Sequence, residues 1–270
     1  LARISLEMAR ADGDSAAMLA AFAQLRQQEQ TDPQAMLDEA NLRYKTGDMQ
    51  GARTMVIAAL QDEKLPPEAR LQLLDLWREY DPGAPAGGAM PRPRNGTVRE
   101  GLARYLLERD RHAEAEALIA GLDSSNASGL RARVLLAQGR GSEARQLADR
   151  VIATDATQCD ARVTLANLAL ASGDATAAVT SGQQAAAECP TLTAGWLVTA
   201  AAYAKAGQAK QAERVFRDGI AADPDDLALH KAFIAWLNQA GRGRETTGVA
   251  RHLLRYAPNR VTTWQLLAVT

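Results

Sequence analysis

Aromatic side chains are few: Phe, Tyr and Trp together make 4% of the 270 residues, and the 47% hydrophobic content is carried mainly by Ala, Leu and Val. Strand-like alternation of apolar and polar residues is absent, which disfavours sandwiches and barrels, whereas small side chains favour closely packed helices. Charge of one sign is also lacking. Basic and acidic residues number 31 and 32, for a net charge of -1, and they are scattered, so no uniform field draws nucleic acid or an anionic membrane. No apolar run approaches the length that crosses a bilayer, which argues against membrane insertion, and residues 1–30 lack the basic start and apolar centre of a secretory leader. The chain opens on Leu1 rather than Met, so we expect something upstream that was cleaved or left out.

What is present is a repeated phrase. "KTGDMQGA" at 45–52, "AQGRGSEA" at 137–144, "ASGDATAA" at 171–178 and "KAGQAKQA" at 205–212 are near-copies of one another. Aligned on their glycines they place Gly13, Gly47, Gly139, Gly173, Gly207 and Gly241 in one frame, with four of the successive gaps equal to 34 residues. Ala52, Ala144, Ala178 and Ala212 fall five residues after the glycine. Ala40, Ala132, Ala166 and Ala200 fall seven before it, and Pro190, Pro224 and Pro258 seventeen after it. This frame predicts helical hairpins. The glycine closes a first helix in the left-handed conformation, Asp48 and Asp174 cap a second helix, and proline stops that helix. Alanine at the two crossing positions lets the paired helices approach closely. Trp196, Tyr203, Phe216, Leu165 and Ile220 are expected between hairpins, because one hairpin cannot bury its apolar face alone.

The pattern resembles the tetratricopeptide repeat. Residues 193–226 match it best, with Trp196, Ala200, Tyr203, Gly207, Ala212, Phe216, Gly219 and Pro224 in the family's places, and Trp264, Leu267 and Ala268 match the opening of a further repeat. The resemblance implies an all-α, right-handed α-solenoid of stacked hairpins, with repeats at about 1–32, 33–66, 97–125, 126–158, 159–192, 193–226 and 227–259. One stretch departs from it. "DPGAPAGGAMPRPRNG" at 81–96 holds four prolines and four glycines and cannot form the second helix that residues 67–80 call for. The expected organisation is therefore an N-terminal subarray at 1–80, a Pro/Gly-rich loop at 81–96, and a C-terminal subarray at 97–270 that ends inside a further repeat. In the hairpin that opens the second subarray, Ala103, Asp110 and Ala115 take the places of the small residue, the glycine and the alanine. The loop reads either as a joint between subarrays or as a binding loop, in which Arg92 and Arg94 are the residues able to hold an anion.

No set of residues suggests catalysis, and no cofactor is expected. His112, His230 and His252 are scattered; His230 and His252 could meet across one hairpin, but no third ligand stands at metal spacing. "GRGRE" at 241–245 is a turn and helix start rather than a phosphate cradle. The two cysteines, Cys159 and Cys189, open and close the same hairpin. Helices of a hairpin run antiparallel, so both lie at one end of the unit and could form a disulfide, which would point to the bacterial periplasm or another oxidising space. The other reading is two half-buried thiols of a cytoplasmic protein.

In the tetratricopeptide family, ligand contacts come from the second, fifth, ninth, twelfth and thirteenth positions of each repeat, on the first helix. Carried onto this sequence, those positions include Asn41, Tyr44, Lys45, Arg104, Glu108, Arg133, Asn167, Lys205, Lys231 and Asn238. Asn41 and Asn167 resemble the family's groove asparagines, which hold peptide backbone through an amide that both donates and accepts. Basic residues do not recur at matched places in adjacent repeats, so the family's carboxylate clamp is not reproduced. The expected function is a non-enzymatic scaffold for a protein or peptide. Its composition is similar to that of repeat proteins of the bacterial envelope, including those that serve exopolysaccharide assembly and export. The alternative is the substrate-recruiting region of a larger enzyme or transporter whose working domain lies outside this fragment.

Overall fold

A computed structural model describes residues 2–27, 32–80, 90–258 and 260–270. Among these residues every regular element is a helix: α1 (Ala2–Asp12), α2 (Ser15–Gln27), α3 (Pro33–Lys45), α4 (Met49–Gln61), α5 (Pro67–Tyr80), α6 (Gly96–Leu107), α7 (His112–Ile119), α8 (Ser125–Ala137), α9 (Gly141–Thr154), α10 (Cys159–Ser172), α11 (Ala175–Glu188), α12 (Thr193–Lys205), α13 (Ala209–Ala222), α14 (Leu227–Gln239), α15 (Thr246–Tyr256) and α16 (Val261–Ala268). A short 3-10 turn at Gly243–Glu245 precedes α15.

The glycines of the 34-residue frame act as the spacing requires. Gly13, Gly47, Gly139, Gly173, Gly207 and Gly241 all have φ between 67° and 87°, the left-handed region in which a side chain would be strained. Asp110 takes the same role with φ 56° and is the one non-glycine residue in that region among those described. Past each turn a second helix begins. Asp48 accepts from the Gly51 N–H at 3.0 Å and Asp174 from the Ala177 N–H at 2.9 Å, so both caps form as expected.

Two compact units result, Leu1–Arg109 and Asp110–Thr270. In the first, α1 pairs with α2 and α3 with α4, while α5 packs on both α3 and α4. Helix α6, which the sequence places at the start of the second subarray, packs on α5 within this unit. Gly101 allows this approach: a Cβ there would stand 2.4 Å from Leu71 Cδ2. Residues 81–89 of the expected loop lie outside the described residues. Those that follow form an arm with Pro91 and Pro93 buried and Arg92 and Arg94 exposed. The arm is held at its base, where the Arg94 backbone N–H donates to Glu63 Oε1 at 2.8 Å. Glu63 also pairs with the buried Arg70 at 3.2 Å, and these contacts hold its carboxyl below the usual range, the Arg94 N–H first.

In the second unit the hairpins α8/α9, α10/α11, α12/α13 and α14/α15 follow one another, each packed on the next. The alanines at both crossing positions, Ala132, Ala144, Ala166, Ala178, Ala200 and Ala212, are fully buried, and with no larger side chain between them the paired backbones come close. Phe216, Ile220, Phe233 and Leu237 form the apolar cluster between the last two full hairpins, with Trp196 and Tyr203 partly buried against it. Phe216 and Phe233 stack at a centroid distance of 5.1 Å. Each hairpin thus completes its core on its neighbour. The junctions repeat as well: Trp196 Nε1 donates to the Pro190 carbonyl at 2.7 Å and Trp264 Nε1 to the Pro258 carbonyl at 2.8 Å.

Candidate functional site

The first-helix positions fall into two groups once the side chains are placed. In the first unit Asn41 and Lys45, four residues apart on α3, share one face and line a cavity of about 330 Å³ together with Arg10, Met18, Phe22, Asp38 and Leu42. The Asn41 Oδ1 is buried and accepts no hydrogen bond among the described residues, which leaves an acceptor of the kind that is costly unless a donor reaches it. Lys45 is exposed and makes no ion pair among the described residues. Arg10 and Asp38 close one side by a salt bridge, and Gln34 Nε2 donates to Asp38 Oδ1 at 2.9 Å. Below this lies Glu39, buried and engaged by Arg26 and by Arg43 at 2.7 Å. The site thus combines an open acceptor, an exposed ammonium and an apolar floor. Sequence reasoning did not single out Arg10 and Asp38. The signal for Arg10 was its place three residues before Gly13, the twelfth position of its own repeat.

Other expected contact residues are spent on the protein itself. Tyr44 is 4% exposed and stacks on Tyr80 at 5.3 Å, so it belongs to the interior and not to a groove. Arg104 is half-buried on α6, and Glu108 pairs with Arg78 at 3.1 Å. In the second unit Arg133 donates to Asp160 Oδ1 at 2.7 Å. Asn167 Nδ2 donates to the Val163 carbonyl of its own helix at 2.9 Å, and Lys205 Nζ to the Leu170 carbonyl at 2.7 Å, near the end of α10. Lys231 and Asn238 remain exposed. Around them the corresponding positions carry small residues, Ala171, Ala201, Ala204, Ala228 and Ala235, beside which a backbone could approach closely.

Cys159 and Cys189 are joined in a disulfide, with Cα atoms 6.4 Å apart, across the open end of the α10/α11 hairpin. His230 and His252 do meet: His230 Nε2 lies 3.4 Å from His252 Nδ1, and the rings stack at 5.6 Å. No third ligand joins them, and among the described residues no three His, Cys, Asp or Glu side chains gather as a metal site. No described helix is long and apolar enough to cross a membrane.

The model of a tetratricopeptide repeat family matches residues 169–237, from the end of α10 through most of α14. Among solved structures the chain is similar to a thermophilic TPR protein of Thermus thermophilus. There the identity is 17% and the TM-score 0.52, over 65% of this chain and 98% of that one. It also aligns with the APC/C hetero-tetramer Cut9-Hcn1, at 13% identity and TM-score 0.48 over 94% of this chain and 52% of that one. A third match is YrrB, described as a TPR protein with an unusual peptide-binding site, at 15% identity and TM-score 0.37 over 78% of this chain and 97% of that one. No curated protein matches the chain. The glycine frame, the buried alanine crossings and the repeat match at 169–237 converge on one conclusion: this chain has the fold of the tetratricopeptide repeat family.

Proposed function

We propose that the chain is an interaction scaffold that holds a protein or extended peptide along its first-helix faces, anchored in the first unit by Asn41 and Lys45. The observation that carries this reading is the buried Asn41 Oδ1, which accepts no hydrogen bond among the described residues and belongs to a residue lining the 330 Å³ cavity. A backbone N–H of an extended segment supplies the missing donor, Lys45 meets a carbonyl or carboxylate beside it, and Met18, Phe22 and Leu42 receive an apolar side chain. Stacked hairpins suit such a task, because a largely preformed surface lowers the ordering cost of binding.

The compartment belongs to the same proposal. The Cys159–Cys189 disulfide supports an oxidising space such as the bacterial periplasm. The Ala-rich composition fits an envelope complex of the kind that assembles or exports exopolysaccharide.

Selection from a random peptide library tests the reading. Peptides enriched on the wild-type chain are expected to lose affinity at least tenfold on an Asn41→Ala, Lys45→Ala double variant that melts as the wild type does. Equal binding to both proteins would remove the site.

A further inference from the structure

A second cavity, of about 400 Å³, opens in the second unit between α13, α14 and α15, away from the first-helix positions. This is the size range of small-molecule sites. Its floor is apolar: Phe233, Leu237 and Ile220 are each under 10% exposed, and Val249 adds a partly buried wall. Gly248 keeps it open. This glycine sits in the first turn of helix α15, where alanine is the better helix former, and a Cβ built on it meets nothing within 4 Å. No close approach of a neighbour explains it. In the same place of the other hairpins stand Thr54, Gln146, Thr180 and Arg214.

The charges at the mouth do not balance. Arg217 pairs with Glu213 at 2.7 Å, Arg242 with Glu213 at 2.6 Å, and Arg242 with Glu245 at 2.6 Å. Two guanidinium groups and two carboxylates thus satisfy each other. Arg255 also lines the cavity, is exposed, and has no ion-pair partner among the described residues. One positive charge is left over beside an apolar pit.

We propose that this cavity binds a small amphipathic monocarboxylate. Its apolar body lies against Phe233, Leu237, Ile220 and Val249 in the space that Gly248 leaves, and its carboxylate is held by the Arg255 guanidinium. An apolar body gains from removal of its surface from water, and guanidinium fits a carboxylate through paired N–H donors. The site is independent of the Asn41 anchor, so either can fail without the other.

Octanoate is the probe, titrated calorimetrically into the whole chain, with 1-octanol as the uncharged control. Saturable one-to-one binding of octanoate is expected, with octanol binding at least tenfold more weakly. Arg255→Gln, at an exposed position, should weaken octanoate about tenfold, as loss of a charge-assisted contact does. Gly248→Leu should fill the cavity and abolish binding in a protein that still melts cooperatively. Absence of saturable octanoate binding, equal affinity for octanol, or an Arg255→Gln variant that binds as the wild type does would each overturn the proposal.

Discussion

Arg133 and Asp160 join the first helices of two successive hairpins through a 2.7 Å charged hydrogen bond, with the Asp160 side chain 1% and the Arg133 side chain 16% exposed. Arg133 stands at a ninth position and Asp160 at a second position of the repeat, both places where the family meets its ligands. Here the lining pairs with itself across the repeat boundary. Removing Arg133 takes a charged partner from a buried carboxylate, so Arg133→Ala should destabilise the chain by about 3 kcal/mol, read from urea unfolding. An Arg133→Met, Asp160→Leu double variant should recover most of that loss. A single variant as stable as the wild type would mean that Arg133 is available to a partner after all.

The disulfide gives a second expectation. Cys159 and Cys189 are separated by 30 residues, and closing a loop of that length removes about 3–4 kcal/mol of chain entropy from the unfolded state. Reduction, or Cys159→Ser with Cys189→Ser, should lower the melting temperature of the second unit. Mass measurement should register the two hydrogens gained on reduction.

The histidine pair predicts a pH dependence. His230 is fully buried. Its Nδ1 lies 2.7 Å from the Asp226 carbonyl, which can only accept, so Nδ1 carries the proton and Nε2 accepts from His252 Nδ1. Burial lowers the pKa of both rings, opposed at His230 by Asp226 and Asp225 and reinforced at His252 by Arg255. Arg217 and Glu245, which line the same cavity as His252, and Tyr256, 5.0 Å from its ring, complete the surroundings. A base whose folded pKa lies below its unfolded value leaves the unfolded chain holding more protons. Its stabilisation is complete above the ordinary value of 6.5 and declines as pH falls toward the folded pKa.

Asp223 acts with the opposite sign. Burial first, then Asp225 and Asp226, raise its pKa to about 7 from 3.8, so the folded chain holds the extra proton and stability declines as pH rises between those values. Asp223→Asn should therefore raise the melting temperature more at pH 8 than at pH 5. In that background the wild-type histidines should make the protein more stable at pH 7.5 than at pH 5.5, and His230→Gln should flatten the slope. Thermal melts across pH in the variants separate the two contributions.

Asp110 offers a backbone test. At φ 56° it pays for a left-handed turn that the other hairpins give to glycine. Its side chain lies exposed, 3.7 Å from His112, a contact worth little. Asp110→Gly should stabilise by about 0.5–1 kcal/mol, whereas Gly207→Ala, at φ 73°, should destabilise by a similar amount. Chemical denaturation of both variants checks the pair.

The hairpins were legible because their determinants are local and periodic. A glycine that must turn left, an aspartate that caps three residues on, an alanine at a crossing and a proline past a helix end each act within one hairpin, so their spacing survives in one dimension. Asp110 could be assigned to its turn from its spacing to Ala103 and Ala115, although Gly139 follows it at 29 residues rather than 34. The functional surface could not be assigned in this way. Position in the repeat placed Tyr44, Arg133, Asn167 and Lys205 among the contact residues, but their partners, Tyr80, Asp160, the Val163 carbonyl and the Leu170 carbonyl, occupy them.

Sequence alone therefore determined that these residues form helical hairpins on a 34-residue period. Only the tertiary structure decided that Asn41 keeps an unmet acceptor among the described residues while Arg133 does not stand free, that α6 packs on α5, and that Phe233 and Arg255 border one cavity. The reason is that a hydrogen bond forms or fails over a few tenths of an ångström, and its partners here come from different helices, whose spacing no periodicity records.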